Sequence, residues 1–230
     1  MERGSNAGDP QGHAAHDLIA RIFTCSAEVA AQVMRRGRVC AYAGNATILR
    51  QGDWLSTAFL LLFGRAQALL YSADGQMVLL HEYNPGDLFG ALGELEPVRQ
   101  EADVRALEDA RALVLEAAEF ALLAQQHGCI SLALSRMLLK RLRKTTERMY
   151  ERAAISAMGR VYAELLRQAR ACADLTIRPA PVVAELALRV ATTRETASRA
   201  VNGLERRGII RRSPDALVIV APRRLEALIM

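Results

Sequence analysis

Near Glu119 the sequence changes period, and this limits the chain to a strand-built part followed by a helical one. From Val39 to about Leu115 the apolar runs are short and broken by Gly52-Asp53, Gly64-Arg65, Asp74-Gly75 and Gly86-Asp87. Asp-Gly suits a two-residue turn because both residue types tolerate positive φ. Asp74-Gly75 therefore predicts a hairpin joining Ala66–Tyr71 to Met77–Tyr83. Glu108-Asp109 predicts a second turn, between Val104–Leu107 and Leu113–Leu115. Many short strands at this spacing predict a small antiparallel barrel or roll. Ahead of it, a short helix is expected around Ser26 to Met34, with Val29, Val33 and Met34 as its apolar positions. Residues 1–17 lack hydrophobic periodicity, and a flexible tail is expected over 1–20.

Beyond Glu119 the pattern is helical. Leu134, Leu138, Leu142, Thr145 and Met149 recur at steps of three and four, the narrow stripe of a helix packed on another helix. Arg141, Lys144, Arg148 and Glu151 occupy the opposite face. A lone helix of this length needs a partner. A second copy of the same helix is the preferred one, and the chain's own roll is the alternative. Ser156 can cap a further helix through Val161, Leu165 and Ala169. Thr176 to Pro181, with two prolines, reads as a linker.

Residues 182–208 hold two short helices. The first, roughly Val182–Val190, places Val183, Leu186, Ala187 and Val190 on one face. The second is expected after Thr192, whose hydroxyl would cap it with Glu195 completing a capping box, and Gly208 ends it. On a helical wheel Arg194, Glu195, Ser198, Arg199 and Asn202 fall within roughly 140° of arc. Ala197, Ala200, Val201 and Leu204 fall on the other side. Arginine can donate two bonds to guanine, glutamate can accept from cytosine, and serine can reach a base edge or a phosphate. A solvated helix face with Glu195 as a cap is the plain alternative. Charge favours DNA: residues 1–135 carry 10 Lys and Arg against 16 Asp and Glu, whereas residues 136–230 carry 20 against 9. After Gly208, Ile209-Ile210-Arg211-Arg212, Ser213-Pro214-Asp215 and Leu217–Val220 predict a two-stranded wing. Arg211 and Arg212 there can touch phosphates or be ordinary surface charge.

The order of these parts resembles the Crp/Fnr family of bacterial transcription regulators, from about residue 20 to 225. G-D (52–53), F-G-R (63–65), D-G (74–75), P-G-D-L-F-G (85–90) and V-R-A-L-E-D (104–109) resemble that family's cyclic-nucleotide-binding domain. T-R-E-T-A-S-R (193–199) and L-E-R-R-G-I-I (204–210) resemble its recognition helix and the continuation. The resemblance implies an α+β chain: a sensor domain over 21–128, an antiparallel β-roll of cyclic-nucleotide-binding type; a dimerisation helix over 129–154; and a winged helix-turn-helix over 155–230. It implies a homodimer joined through Leu134, Leu138, Leu142, Thr145 and Met149. Double-stranded DNA would be read at an inverted repeat with a TGA-like core. Arg194, Glu195 and Arg199 would meet bases with Ser198 assisting, and Thr193, Thr196, Asn202, Arg211 and Arg212 complete the expected DNA-binding set. RNA polymerase is a further candidate partner. Val182 and Ala184 stand where relatives often carry polar phosphate contacts.

The implied effector pocket comprises Gly90, Ala91, Leu92, Gln100, Glu101, Thr145 and Thr146. Cyclic-nucleotide binders of the family follow F-G with Glu-Leu and carry an Arg-Ser pair before the closing strand. Here Ala91 and Gln100-Glu101 occupy those positions, and Glu101 would repel a phosphate. Thr145-Thr146 do match the pair that faces the base. The expectation is an unknown effector, with cyclic AMP not bound in the usual manner.

Other classes find less support. No apolar run has the roughly 18 residues of a membrane span, and the polar N-terminus is no signal peptide, so a cytoplasmic protein is expected. Cys25, Cys40, Cys129 and Cys172 form no C-x-x-C pair, which argues against zinc or an iron–sulfur cluster and for free thiols. A redox switch, for example Cys129 pairing across a dimer, is the alternative. His16, His81 and His127 are the candidate haem ligands, each with a structural role as the simpler reading. A metal-dependent enzyme on the roll would need clustered His and Glu, and only His81-Glu82 lies there. No catalytic residue is assigned. The remaining alternative is a ligand-binding module that acts on protein partners without DNA.

Overall fold

The computed structural model describes residues 10–71, 77–93 and 96–229. It opens with helices α1 (Pro10–Phe23) and α2 (Ala27–Arg36). Ten short strands follow: β1 (Arg38–Tyr42), β2 (Thr47–Leu49), β3 (Trp54–Leu55), β4 (Thr57–Phe63), β5 (Ala66–Tyr71), β6 (Met77–Tyr83), β7 (Leu88–Gly90), β8 (Val98–Arg99), β9 (Asp103–Ala106) and β10 (Ala110–Glu116). Then come α3 (Ala117–Gln126), α4 (Gly128–Ala154), α5 (Ala157–Arg170), β11 (Thr176–Ile177), α6 (Val183–Arg189) and α7 (Arg194–Arg206). The chain closes with β12 (Ile210–Arg212), β13 (Leu217–Ile219) and α8 (Pro222–Glu226). Two compact units result, divided within α4: the first holds the described residues up to Arg141 except Met77–Leu79, the second Met77–Leu79 and Leu142 onward. No helix of the described residues is long and apolar enough to cross a membrane.

In the first unit the sheets run β1-β10-β4-β7 and β2-β9-β5-β6, with β3-β8 a separate pair. Strands β4 and β10 are apolar on both faces, and the reason is burial on both sides. Phe59, Leu61, Ala112 and Val114 point into one cluster with Ala66, Ala68, Val104 and Ala106. Ala58, Leu60, Leu113 and Leu115 point into another with Ile19, Phe23, Val33, Phe120 and Ile130 of the helices. Gly64 turns β4 into β5 at φ +79°, where a Cβ would lie 2.4 Å from the Asp109 carbonyl oxygen.

Two sequence expectations are corrected here, on the tail and on the linker. Residues 10–20 belong to α1 rather than to a tail, because Leu18, Ile19 and Phe23 bury against the core and carry the polar first turns into the helix. The Glu108-Asp109 turn is where the sequence puts it, between β9 and β10, and it links strands of different sheets. Thr176–Ile177 pairs with β13 instead of serving as linker, since the two buried residues precede the prolines that stop the strand. Asp74-Gly75 lies outside the described residues, while the two strands it was expected to join do span Ala66–Tyr71 and Met77–Tyr83.

In the second unit, α5, α6, α7 and the sheet β11-β13-β12 share one core around Val161, Leu165, Leu186, Val201, Leu204 and Leu217. Ser156 caps α5, accepting from the Gly159 N–H at 3.1 Å. Arg160 is the pin of this unit. Its guanidinium donates to the carbonyls of Val190 (3.0 Å), Ala191 (3.2 Å) and Ile155 (3.0 Å), and so holds the turn after α6, where Ala191 takes φ +50°. Hydrogen bonds from a charged donor contribute about 1.5–3 kcal/mol. Arg160→Met is therefore expected to destabilise the protein by about 2 kcal/mol, read as a lower urea midpoint at unchanged m-value; an unchanged midpoint would show the three bonds to be without net effect.

Candidate nucleic-acid interface

Helix α7 starts at Thr193, whose hydroxyl accepts from the Thr196 N–H at 3.2 Å and donates to the Thr196 hydroxyl at 3.0 Å. The cap is thus one residue later than the sequence suggested, and Glu195 is left out of any capping box. That frees its carboxylate for the surface. At the far end Gly208 takes φ +64°, the left-handed close of the helix. Ala197, Ala200 and Leu204 are fully buried and Val201 nearly so. They pack on Leu186 and Ala187 of α6 within the shared core.

The opposite face is open. Thr193, Arg194, Glu195 and Arg199 are exposed, and Thr196, Ser198 and Asn202 are half-buried. Among the described residues, the side chains of Arg194, Glu195 and Arg199 enter no hydrogen bond or ion pair. The arrangement presents two guanidinium groups and a carboxylate side by side on one exposed helix. Planar forked donors beside an acceptor can complement the edges of a G·C pair.

The wing divides its two arginines. Arg211, on β12, is exposed. Arg212 turns to the helix: its Nε donates to Glu205 at 3.0 Å and its terminal nitrogen to the Asn202 side-chain oxygen at 2.9 Å. The Arg212 guanidinium holds the Glu205 carboxyl below the usual carboxylate range. Asn202 in turn donates to Ser198 at 3.5 Å. Ser198, Asn202 and Arg212 are therefore one chain of contacts from the open face of α7 to the wing. Sequence reasoning missed this brace, and it missed Arg160; neither arginine differs from a surface arginine in spacing or neighbours. Val182 and Ala184, at the start of α6, are exposed, and Val182 caps α6 without a side-chain bond.

The residues expected to form an effector pocket are distributed differently. Ala91 is fully buried in the core of the first unit, its N–H donating to the Thr57 carbonyl at 2.9 Å. Gly90 ends β7, and half-buried Leu92 packs against the helix-side cluster. Gln100 and Glu101 line a cavity of about 790 Å³ together with Gln51, Gly52, Tyr71, Arg99 and Asp103. Within it the Gln100 amide donates to the Ala102 carbonyl at 2.6 Å, and Arg99 Nε donates to the Gly52 carbonyl at 3.2 Å. Thr145 and Thr146 are exposed on α4 in the second unit, and the Thr146 hydroxyl bonds back to the Leu142 carbonyl at 3.0 Å. His16 bonds to the Ala27 carbonyl and His127 to Gln32, while His81 stacks near Tyr83. No group of three or more His, Cys, Asp or Glu among the described residues could hold a metal ion.

On the expected dimer stripe, Leu134 packs against the first unit's core. Leu138, Leu142 and Met149 are 45%, 63% and 67% exposed, and Thr145 between them is also exposed.

Comparison with known proteins agrees with this geometry. Residues 39–127 match the family model of the cyclic nucleotide-binding domain, and residues 159–228 that of the Crp-like helix-turn-helix domain. The chain is 28% identical over 197 residues to the cAMP-activated global transcriptional regulator Vfr of Pseudomonas aeruginosa, covering 79% of this chain and 89% of that protein. It is 26% identical over 187 residues to the cAMP-activated global transcriptional regulator CRP of Salmonella typhimurium, with coverage of 79% and 89%. The fold is that of CooA from Carboxydothermus hydrogenoformans, with a TM-score of 0.75 at 20% identity over 86% of this chain and 90% of that one. A nucleotide-binding-type roll followed by a Crp-like helix-turn-helix, in the order these relatives share, makes the chain a member of the Crp/Fnr family of DNA-binding transcription regulators.

Proposed function

We propose that this regulator works in the cytoplasm as a homodimer whose two α7 helices read an inverted repeat with a TGA-like core, and that at a promoter it acts on RNA polymerase. The exposed trio Arg194, Glu195 and Arg199, opposite the buried face of α7, carries the reading. Arginine to guanine and glutamate to cytosine suit the central G·C pair of such a core. Ser198 assists, with Thr193 and Thr196 at the helix start beside the phosphates. Asn202 and Arg212 serve through the brace between them, which leaves Arg211 as the wing's phosphate contact. Two-fold symmetry would set the half-sites about one DNA turn, ~34 Å, apart.

The dimer rests on the stripe Leu138, Leu142, Thr145 and Met149. These are exposed side chains at coiled-coil steps on a helix of 27 residues. Apolar side chains repeated in this way lose little by pairing with a twin and remove their surface from water.

We further propose that the sensor domain does not bind cyclic AMP in the usual manner. Ala91 is committed to the core, the Gln100 amide is spent on a backbone carbonyl, and Glu101 places a carboxylate where a cyclic phosphate would need a cation. Vfr and CRP are named as cAMP-activated, and that property is theirs.

Selection from random duplexes should recover an inverted repeat with TGA-like half-sites, and Arg199→Ala should cost about 1–3 kcal/mol on that site while relaxing the preference at one base pair. Recovery of no motif, or an unchanged affinity, would remove α7 from the role. Leu142→Glu should convert a species of about twice 25.2 kDa to one of 25.2 kDa in sedimentation equilibrium; a variant that stays dimeric would place the interface elsewhere. Calorimetry with cyclic AMP should detect no saturable binding tighter than about 1 mM, and a micromolar dissociation constant would overturn the sensor assignment.

A further inference from the structure

The far end of α7 and the start of α8 bring arginines to one corner of the second unit. Val220 and Ala221 both donate their N–H groups to the Ile209 carbonyl, at 2.9 and 3.2 Å, so α8 starts beside the residues that follow α7. Arg224 of α8 then donates to the Arg207 carbonyl at 3.4 Å. Arg206, Arg207, Arg223 and Arg224 are all exposed. The carboxylates of the same segments are already engaged, Glu205 with Arg212 and Glu226 with Arg170. Among the described residues, the side chains of Arg206, Arg207 and Arg223 enter no hydrogen bond or ion pair. Like charges gathered without counter-charge repel one another, and a polyanion relieves that repulsion.

We propose that Arg206, backed by Arg207, Arg223 and Arg224, grips the phosphate backbone of DNA at the rim of the major groove beside each half-site. The inference rests on the reading of DNA by α7 proposed above. Its direction comes from the helix itself. At about 100° per residue, with Glu195 at zero, Arg199 lies at about +40°, Asn202 at about −20° and Arg206 at about +20°. One face therefore runs from the reading residues to the last residue of α7. Arg206 stands about 10.5 Å beyond Arg199 along the axis. The first residues of a helix in this motif contact base edges, and the groove that admits it is about 12 Å wide. Once the first turns are seated there, the last turn reaches the rim, where phosphates and not bases are within range. A guanidinium fork suits phosphate oxygens, and each phosphate it neutralises releases condensed counterions. Such a grip carries no sequence information of its own; it fixes register and adds affinity that salt removes. An acidic protein surface is the other polyanion that could meet this corner. The face that Arg206 shares with Arg199 favours DNA.

The test is fluorescence anisotropy with the full chain and two labelled duplexes, the inverted repeat recovered by selection and a random sequence of equal length, over a series of KCl concentrations. Removing one phosphate contact lowers the slope of log affinity against log salt by about 0.9. Arg206→Gln, carried twice by a dimer, should therefore lower the slope by about 2 and weaken binding by the same factor on both duplexes. The triple variant Arg206→Gln, Arg207→Gln, Arg223→Gln should lower it further; Arg224 stays because it holds the Arg207 carbonyl. Arg206→Lys, which keeps the charge, should restore the slope. An unchanged slope in both the single and the triple variant would overturn the proposal and leave the corner to an acidic protein surface. A loss confined to the recovered repeat would overturn it too, because Arg206 would then be reading a base. Arg199→Ala on the same duplexes separates the two readings: if it relaxes sequence preference while Arg206→Gln leaves the slope unchanged, the phosphate grip alone fails. If no motif is recovered, it is the reading by α7 that fails, and the slope on the random duplex still decides the role of Arg206.

Discussion

Ala197, Ala200 and Val201 let α7 lie close against α6 and α5, and every exposed side chain of that helix takes its direction from this contact. A larger residue at either alanine would lift or roll the helix, and 100° per residue converts a small roll into a different set of side chains facing outward. The turn before α7 is under the same control. Arg160 gathers the carbonyls of Val190 and Ala191, so the angle between the two helices is set by hydrogen bonds from a third. The open face of Arg194, Glu195 and Arg199 is thus a product of what is hidden beneath it.

Much of this was legible in the sequence because the signals are local and periodic. The apolar stripe of α7, the Ser156 cap and the strands Ala66–Tyr71 and Met77–Tyr83 each follow from a few neighbouring residues. What was not legible depends on partners far along the chain. Residues 10–20 read as a tail because the side chains that fold them, Leu18, Ile19 and Phe23, find their core in strands and helices encountered later. Thr192 and Thr193 are equivalent as caps until the turn geometry chooses the second. That Arg212 lies beside Glu205 and Asn202 is likewise visible only once the wing is folded against α7.

The first unit keeps the frame of a nucleotide-binding roll around a core of aromatic and small apolar side chains. Phe59 and Phe89 stack with centroids 5.1 Å apart, Tyr83 lies 4.7 Å from Phe89, and Arg141 of α4 covers Tyr83 while donating to the Leu88 carbonyl. Alanines at 66, 68, 91, 102, 106 and 112 make the rest of that core close-fitting. Gln100 and Glu101 line a separate cavity beside Arg99, and the Gln100 amide donates to the Ala102 carbonyl.

The brace from Ser198 through Asn202 to Arg212 and Glu205 bears on how such a regulator can acquire new operators. Arg194, Glu195 and Arg199 can each be exchanged alone, because no other side chain among the described residues bonds to them. Asn202 differs: a substitution there removes one of the two partners of the Arg212 guanidinium, leaves it to Glu205 alone and so alters the wing's hold on the helix. Descendants of this chain that drift to other binding sites should therefore vary independently at the first three positions and in concert at the others. Retargeting by single steps is confined to the early turns of the helix.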